Sequence, residues 1–186
     1  MLNLVNIRNG WKGMSRFKKI GVVIVIFNRF EKLKKTLNSY DKQTFAPSFI
    51  IVYNNDSTDN TDNFLQCWKI KKSDFKKYVF SNNENSGGAG GLYNAKEEAL
   101  KLDFDWLWIS DDDAYHQEDT FEILNKKIIS IDENDKVGAI CSSAIEHGIY
   151  SCVHRSVKSK NPFILSYSSK IKDYKKKEFE VNFFHT

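Results

Sequence analysis

Three consecutive aspartates, Asp111, Asp112 and Asp113, follow the apolar run Trp106-Leu107-Trp108-Ile109 with only Ser110 between. Adjacent carboxylates repel one another, and a hard divalent cation among them relieves the repulsion. The same residues also suit a solvated acidic turn that caps a helix starting near Gln117, because negative charge is stabilised at a helix N-terminus. Two further polar segments invite the same question. Asn54-Asn55-Asp56-Ser57-Thr58-Asp59 has the composition of a turn with an N-cap at Thr58 or Asp59. It is not an EF-hand loop starting at Asp56, since the sixth residue is Thr61 and the twelfth is Cys67. Asn83-Glu84-Asn85-Ser86-Gly87-Gly88-Ala89-Gly90-Gly91 is glycine-rich. Glycines between a strand and a helix let backbone N–H groups approach a phosphate or sugar closely, though a flexible turn has the same composition. No Gly-Lys-Ser/Thr follows to make a P-loop, and Tyr93 stands where the last glycine of G-x-G-x-x-G would be. Tyr115 occupies the threonine position of a D-x-D-x-T phosphatase motif, which argues against that chemistry. His116 is near the aspartates, while His147, His154 and His185 are scattered; each is expected to be structural or exposed.

The elements around these segments alternate. Ile20 to Phe27 is a nearly continuous β-branched run, the mark of a strand buried on both faces. Leu33, Leu37 and Tyr40 recur at helical spacing, and Phe49 to Tyr53 is a second buried strand. Phe64, Leu65 and Trp68 indicate a helix, and Lys77 to Ser81 a third strand. Leu92, Ala95, Ala99 and Leu100 define a helix after the glycine-rich loop. Asp105 to Ile109 is a fourth strand, Phe121 to Ile131 a helix, and Val137 to Cys141 a fifth strand. This order predicts an α/β fold with a mainly parallel sheet flanked by helices. All three polar segments then follow the carboxyl ends of strands, so they are expected on one rim of the sheet, where such folds bind ligands. After Ser142, segments such as Gly148 to Val153 and Glu178 to Phe184 read as short antiparallel strands. The expected organisation is an arm over 1–18, a core over 19–145 and an antiparallel extension over 146–186, the start of an incomplete acceptor-binding half.

Bulk properties narrow the classes. With 41% hydrophobic and 28% charged residues over 186 positions, the chain suits one globular domain. A net charge of +4, spread over Lys69 to Lys77 and Lys158 to Lys177, describes a solvated surface. It argues against nucleic acid as a partner and leaves peripheral contact with an anionic membrane face open. Cys67, Cys141 and Cys152 form no metal or C-x-x-C spacing, which favours free thiols in a reducing compartment. The longest apolar run is too short to span a bilayer, so a cytoplasmic location is expected, peripheral at the inner membrane face if it touches one.

Taken together, the segments resemble the inverting family 2 glycosyltransferases, which have the Rossmann-like GT-A fold. Val25-Ile26-Phe27-Asn28-Arg29-Phe30, with Leu33, Thr36 and Leu37, looks like the family's first strand and helix. Ile51 to Asp59 is similar to its nucleotide-binding turn. Asn85-Ser86-Gly87-Gly88-Ala89-Gly90-Gly91, followed by Asp111-Asp112-Asp113-Ala114, resembles the branch containing galactofuranosyl- and rhamnosyltransferases. The resemblance covers residues 19–145.

The resemblance implies roles. Asp111 and Asp113 match the D-x-D metal positions for Mg²⁺ or Mn²⁺, with Asp113 the direct ligand and Asp111 nearer the donor's ribose or sugar. Asp112 joins them in the donor site, and Asn28, Arg29, Asn54, Asn55 and Asp56 would surround the base and ribose. Asn85, Gly87, Gly88, Gly90 and Gly91 would lie beside the donor. The implied partners are a nucleotide-sugar donor of the UDP-galactofuranose or dTDP-rhamnose kind and a glycan or lipid-linked glycan acceptor. Two positions depart from the family pattern. Asn54 stands where an acidic residue is usual, and Leu92 to Ala95 offer no arginine after the glycines, leaving Lys96 as a candidate cation. The family's general base lies beyond the strand that Phe179 to Phe184 resembles, and the chain stops at Thr186. Asp173, Glu178 and Glu180 precede or lie within that strand and are not assigned as the base. The expectation is therefore the donor-binding part of a metal-dependent inverting glycosyltransferase, truncated before its base. The alternative is a catalytically inactive nucleotide-binding module.

Overall fold

The computed structural model describes residues 3–5, 17–131, 137, 139–142, 145–146, 149–150, 156–158, 166–168 and 181–182. Its chain divides into two units, Met1–Cys141 and Ser142–Thr186. The first unit contains β1 (Asn3–Val5), β2 (Ile20–Ile26), α1 (Phe30–Tyr40), β3 (Phe49–Asn54), α2 (Thr61–Ile70) and β4 (Lys76–Ser81). It continues with α3 (Gly87–Leu100), β5 (Trp106–Ser110), α4 (Thr120–Ser130) and β6 (Ala139–Cys141).

The apolar runs became strands because both of their faces are covered. Ile20, Val22, Ile24 and Ile26 of β2 join Leu33, Leu37 and Tyr40 of α1, Leu65 and Trp68 of α2, and Phe121 and Ile128 of α4 in one cluster. Val23 points the other way, into a second cluster with Ile51, Leu107 and the small residues Ala95 and Ala99 of α3. Alternate residues of one strand thus feed two cores, which is why its sequence lacks polar alternation.

Six strands form one sheet in the order β4-β3-β2-β5-β1-β6. The three parallel pairings join the four expected strands: β2 runs parallel to both β3 and β5, and β3 parallel to β4. The chain lays down β2, β3 and β4 outward in one direction, then returns to place β5 on the other flank of β2. The order of strands therefore reverses between β2 and β5, and a crevice at the carboxyl ends of such strands is the preferred ligand position of open α/β sheets.

Asn3–Val5, which carries no sequence periodicity, is a strand wedged antiparallel between β5 and β6. Its three residues satisfy edges that would otherwise stay open, which no local pattern encodes. A second departure concerns the glycines. The segment expected to be a loop from Gly87 to Gly91 is instead the opening of α3. Glycine is a poor helix former, by about 1 kcal/mol per residue relative to alanine. Close packing explains its presence at Gly91, where an added Cβ would sit 2.7 Å from Cγ1 of Val25.

In the second unit, β7 (Ile145–Glu146) and β8 (Ile149–Tyr150) form an antiparallel hairpin. Strands β9 (Ser156–Lys158), β10 (Ser166–Ser168) and β11 (Val181–Asn182) form a separate antiparallel sheet with β9 in the middle. The antiparallel character expected after Ser142 is present. Cys152, His147, His154, His185, Asp173, Glu178 and Glu180 lie outside the described residues.

Candidate active site

Parallel pairing puts the ends of β2, β3, β4 and β5 on one rim, with Ile26 level with Asn54 and Asn54 level with Ser81. The polar segments that leave these ends are joined to one another by side chains. Asn28, directly after β2, adopts a left-handed backbone with φ 52°. Asparagine tolerates that conformation better than most residues. The bend aims its Oδ1 at the turn after β3, where it accepts from the Thr58 N–H at 2.7 Å and the Asp59 N–H at 3.3 Å. The Asn28 N–H donates to Ser57 Oγ at 3.0 Å. Asp59 in turn accepts the Phe30 N–H at 3.2 Å, satisfying a donor at the start of α1. Asp56, also left-handed with φ 67°, completes the turn.

Asn54 and Asn55 are buried, and buried amides must find partners. Asn54 Oδ1 accepts the Ser57 N–H at 3.0 Å, and its Nδ2 donates to Asp62 at 2.5 Å. An acid at position 54 would face the Asp62 carboxylate, so the amide fits this partner. Asn55 binds the turn before α3. Its Nδ2 donates to Asn85 Oδ1 at 2.8 Å and to the Gly87 carbonyl at 3.0 Å, and its Oδ1 accepts from the Ser86 hydroxyl at 2.9 Å. Asn85 also accepts the Gly87 N–H at 2.9 Å, and Gly87 has φ 71°, a conformation glycine adopts without Cβ strain. Gly88 has nothing within 4 Å of an added Cβ, whereas at Gly90 that atom would meet the Ser86 side chain at 2.7 Å.

The aspartates leave β5 at the reversal of strand order. Asp111 is exposed, Asp112 is buried and Asp113 is half-buried. Asp112 and Asp113 are paired with cations at the start of α1. Arg29 Nη1 lies 2.9 Å from Asp112 Oδ1 and 3.3 Å from Asp113 Oδ2, and Lys32 Nζ lies 2.9 Å from that same Asp113 oxygen. Thr36 donates to the Asp112 carbonyl at 2.8 Å, fixing the backbone of the turn. Burial pushes the Asp112 carboxyl above its ordinary range, against the pull of Arg29. The hydrogen bond from Lys32 holds Asp113 below it.

Behind the turn, His116 is enclosed by Tyr40, Trp108 and Phe121. Its Nε2 lies 2.8 Å from the Tyr40 hydroxyl, and burial lowers its pKa to about 4. As expected, it is a packed structural residue. Lys96 lies further along α3, 3.6 Å from Glu97 and over the Tyr93 ring. The cations beside the aspartates are Arg29 and Lys32. No local pattern pairs Lys32 with Asp113, because the two are 81 residues apart in the chain.

Among the described residues, no three His, Cys, Asp or Glu side chains gather into a metal cluster. Asp111 and Asp113 supply hard oxygen donors from one turn. Mg²⁺ and similar ions commonly take one or two carboxylates and complete their shell with phosphate and water, so this donor set fits such an ion.

The chain is similar to proteins of one known family. Residues 21–183 match the model of Glycosyl transferase family 2. Galactofuranosyltransferase GlfT1 of Mycolicibacterium smegmatis is 28% identical over 101 residues, which cover 54% of this chain and 32% of that protein. GlfT1 of Mycobacterium tuberculosis is 31% identical with the same coverage. The chain thus spans about a third of the length of the curated relatives it matches. Among solved structures, S. aureus TarS 1-349 in complex with UDP-GlcNAc has a TM-score of 0.51 at 24% identity, covering 59% of this chain and 31% of that 1-349 chain. The mannosyltransferase PcManGT from Pyrobaculum calidifontis, in complex with GDP-Man and Mn²⁺, has a TM-score of 0.51 at 18% identity over 60% of this chain and 32% of its own. These likenesses show the GT-A fold, and the match along most of the sequence shows that the chain belongs to glycosyl transferase family 2.

Proposed function

We propose that this chain is the donor-binding part of an inverting, metal-dependent glycosyltransferase. Its donor is a nucleotide-diphosphate sugar of the UDP-galactofuranose or dTDP-rhamnose kind, and its acceptor a glycan or lipid-linked glycan at the inner face of a membrane. The observation that carries the reading is the meeting of Arg29 with Asp112 and Asp113 where the strand order reverses. The GlfT1 relatives support the galactofuranose branch. No helix among the described residues is long and apolar enough to cross a membrane.

Each group has a task in this reading. Asn28 and Asn54 hold the turn carrying Asp56, which frames the base and ribose together with Arg29. Asn55 and Asn85 fix the start of α3, so that Gly87, Gly88 and Gly90 present a backbone surface without side chains to the donor, while Gly91 seats the helix against Val25. Asp112 anchors Arg29 in its position. Asp113, with Asp111, would hold Mg²⁺ or Mn²⁺, which when bound supplies positive charge that stabilises the nucleotide leaving group. The general base is left to residues outside the described part.

Calorimetry with UDP, dTDP and GDP, with and without Mn²⁺, tests the reading. Metal-dependent binding of one nucleotide, lost in Asp113→Ala with an unchanged circular dichroism spectrum, is the expected result. Equal affinity in the variant would remove Asp113 from the metal. Sugar transfer to water or acceptor would separate an enzyme from a nucleotide-binding module.

A further inference from the structure

One oxygen of Asp113 carries two cations. Arg29 and Lys32 both approach Oδ2, at 3.3 Å and 2.9 Å. The two are held differently. Arg29 also grips Asp112, whose side chain is only 9% exposed, so it has a second, buried anchor. Lys32 sits on the first turn of α1 with its side chain 48% exposed, at the end of a flexible stem. A divalent cation arriving at Asp113 would meet the Lys32 ammonium on the same oxygen, and like charges at such range repel. A diphosphate arriving with the cation changes the balance, because its oxygens give the displaced ammonium a new partner.

The geometry points to Lys32 as a resident counter-ion that makes this site prefer a metal–nucleotide complex over the free ion. This deepens the donor-site reading and rests on Asp113 being a metal ligand. Without nucleotide, Lys32 competes with the metal. With nucleotide, it turns to the diphosphate and the competition ends. Metal and nucleotide affinities are then coupled through one side chain, and such coupling is reciprocal.

Water-proton relaxation by Mn²⁺ reads the binding of the ion directly, with the 186-residue chain as it stands. Four proteins are compared: wild type, Lys32→Met, Lys35→Met and Asp113→Asn, each checked by thermal melting. Without nucleotide, Lys32→Met should bind Mn²⁺ about two- to fivefold more tightly, the range of an exposed ion pair, with the gain shrinking in high salt. Lys35→Met removes an equal charge from the same helix and should leave Mn²⁺ affinity within experimental error. Saturating UDP should tighten Mn²⁺ binding less in Lys32→Met than in wild type. Unchanged or weaker Mn²⁺ binding in Lys32→Met, with binding lost in Asp113→Asn, would overturn the counter-ion role and leave the metal site standing. An equal gain in Lys35→Met would also overturn it, by making the effect one of net charge. Unaltered binding in Asp113→Asn would remove Asp113 from the metal site, the premise on which this inference rests, and the inference with it.

Discussion

His116, packed behind the turn of three aspartates, makes the stability of the fold sensitive to acid. Its ring lies 4.7 Å from Tyr40, 5.7 Å from Trp108 and 6.0 Å from Phe121, centroid to centroid. A charged imidazolium there would lose water without gaining a carboxylate, so burial lowers the pKa from 6.5 to about 4. The folded state then binds fewer protons than the unfolded chain between these two values. Stability from this residue is fully present above pH 6.5 and is lost as the pH falls toward 4. At about 1.4 kcal/mol per pH unit, the loss reaches roughly 2 kcal/mol at pH 5 and roughly 3 kcal/mol below pH 4. For a chain of this size, 2 kcal/mol corresponds to a fall in Tm of roughly 5–8 °C. His116→Gln keeps a polar partner for the Tyr40 hydroxyl and does not titrate. Urea unfolding of both proteins at pH 7 and pH 5 isolates the histidine from the other groups that titrate. The variant should lose about 2 kcal/mol less than wild type over that interval. Parallel losses in the two proteins would refute the assignment of His116 as a buried neutral imidazole.

Other consequences follow from the same contacts. Arg29→Met strands the Asp112 carboxylate and should cost about 1–2 kcal/mol at pH 7, below the roughly 3–5 kcal/mol of a fully buried pair because Arg29 is half exposed. Since burial already raises the Asp112 pKa, protonation relieves the stranded charge, and denaturation curves should show a smaller deficit at pH 4. Asn55→Ala leaves Ser86, Asn85 and Gly87 without a shared partner; a loss of about 1–3 kcal/mol in chemical unfolding is expected. Gly91→Val forces a side chain into Val25 and should lower stability by about 1–3 kcal/mol. Val25→Ala in the same chain should restore part of that loss in a double-mutant cycle.

The fold was largely legible because its strands announce themselves. Ile20 to Ile26 and Phe49 to Tyr53 are apolar on both faces, and Leu33, Leu37 and Tyr40 of α1 keep helical spacing. β1 was not legible, because a three-residue strand is specified by the edges of β5 and β6 and not by its own pattern. The glycines were legible as a junction but not as helix. Their helical state depends on Asn55 and Val25, which come from other strands. Asn54 and Asn55 read as ligands for a base, yet their side chains also have partners within the protein.

The residue types alone determined that carboxylates, asparagines and glycines end consecutive strands, since strand and helix periods are written locally in the chain. Tertiary structure decided which of them meet. By returning β5 to the flank of β2, it set Arg29 and Lys32 against Asp112 and Asp113, more than eighty residues away. Side-chain pairing at that separation depends on strand order, which hydrophobic periodicity does not encode, and the order decided which cations meet Asp112 and Asp113.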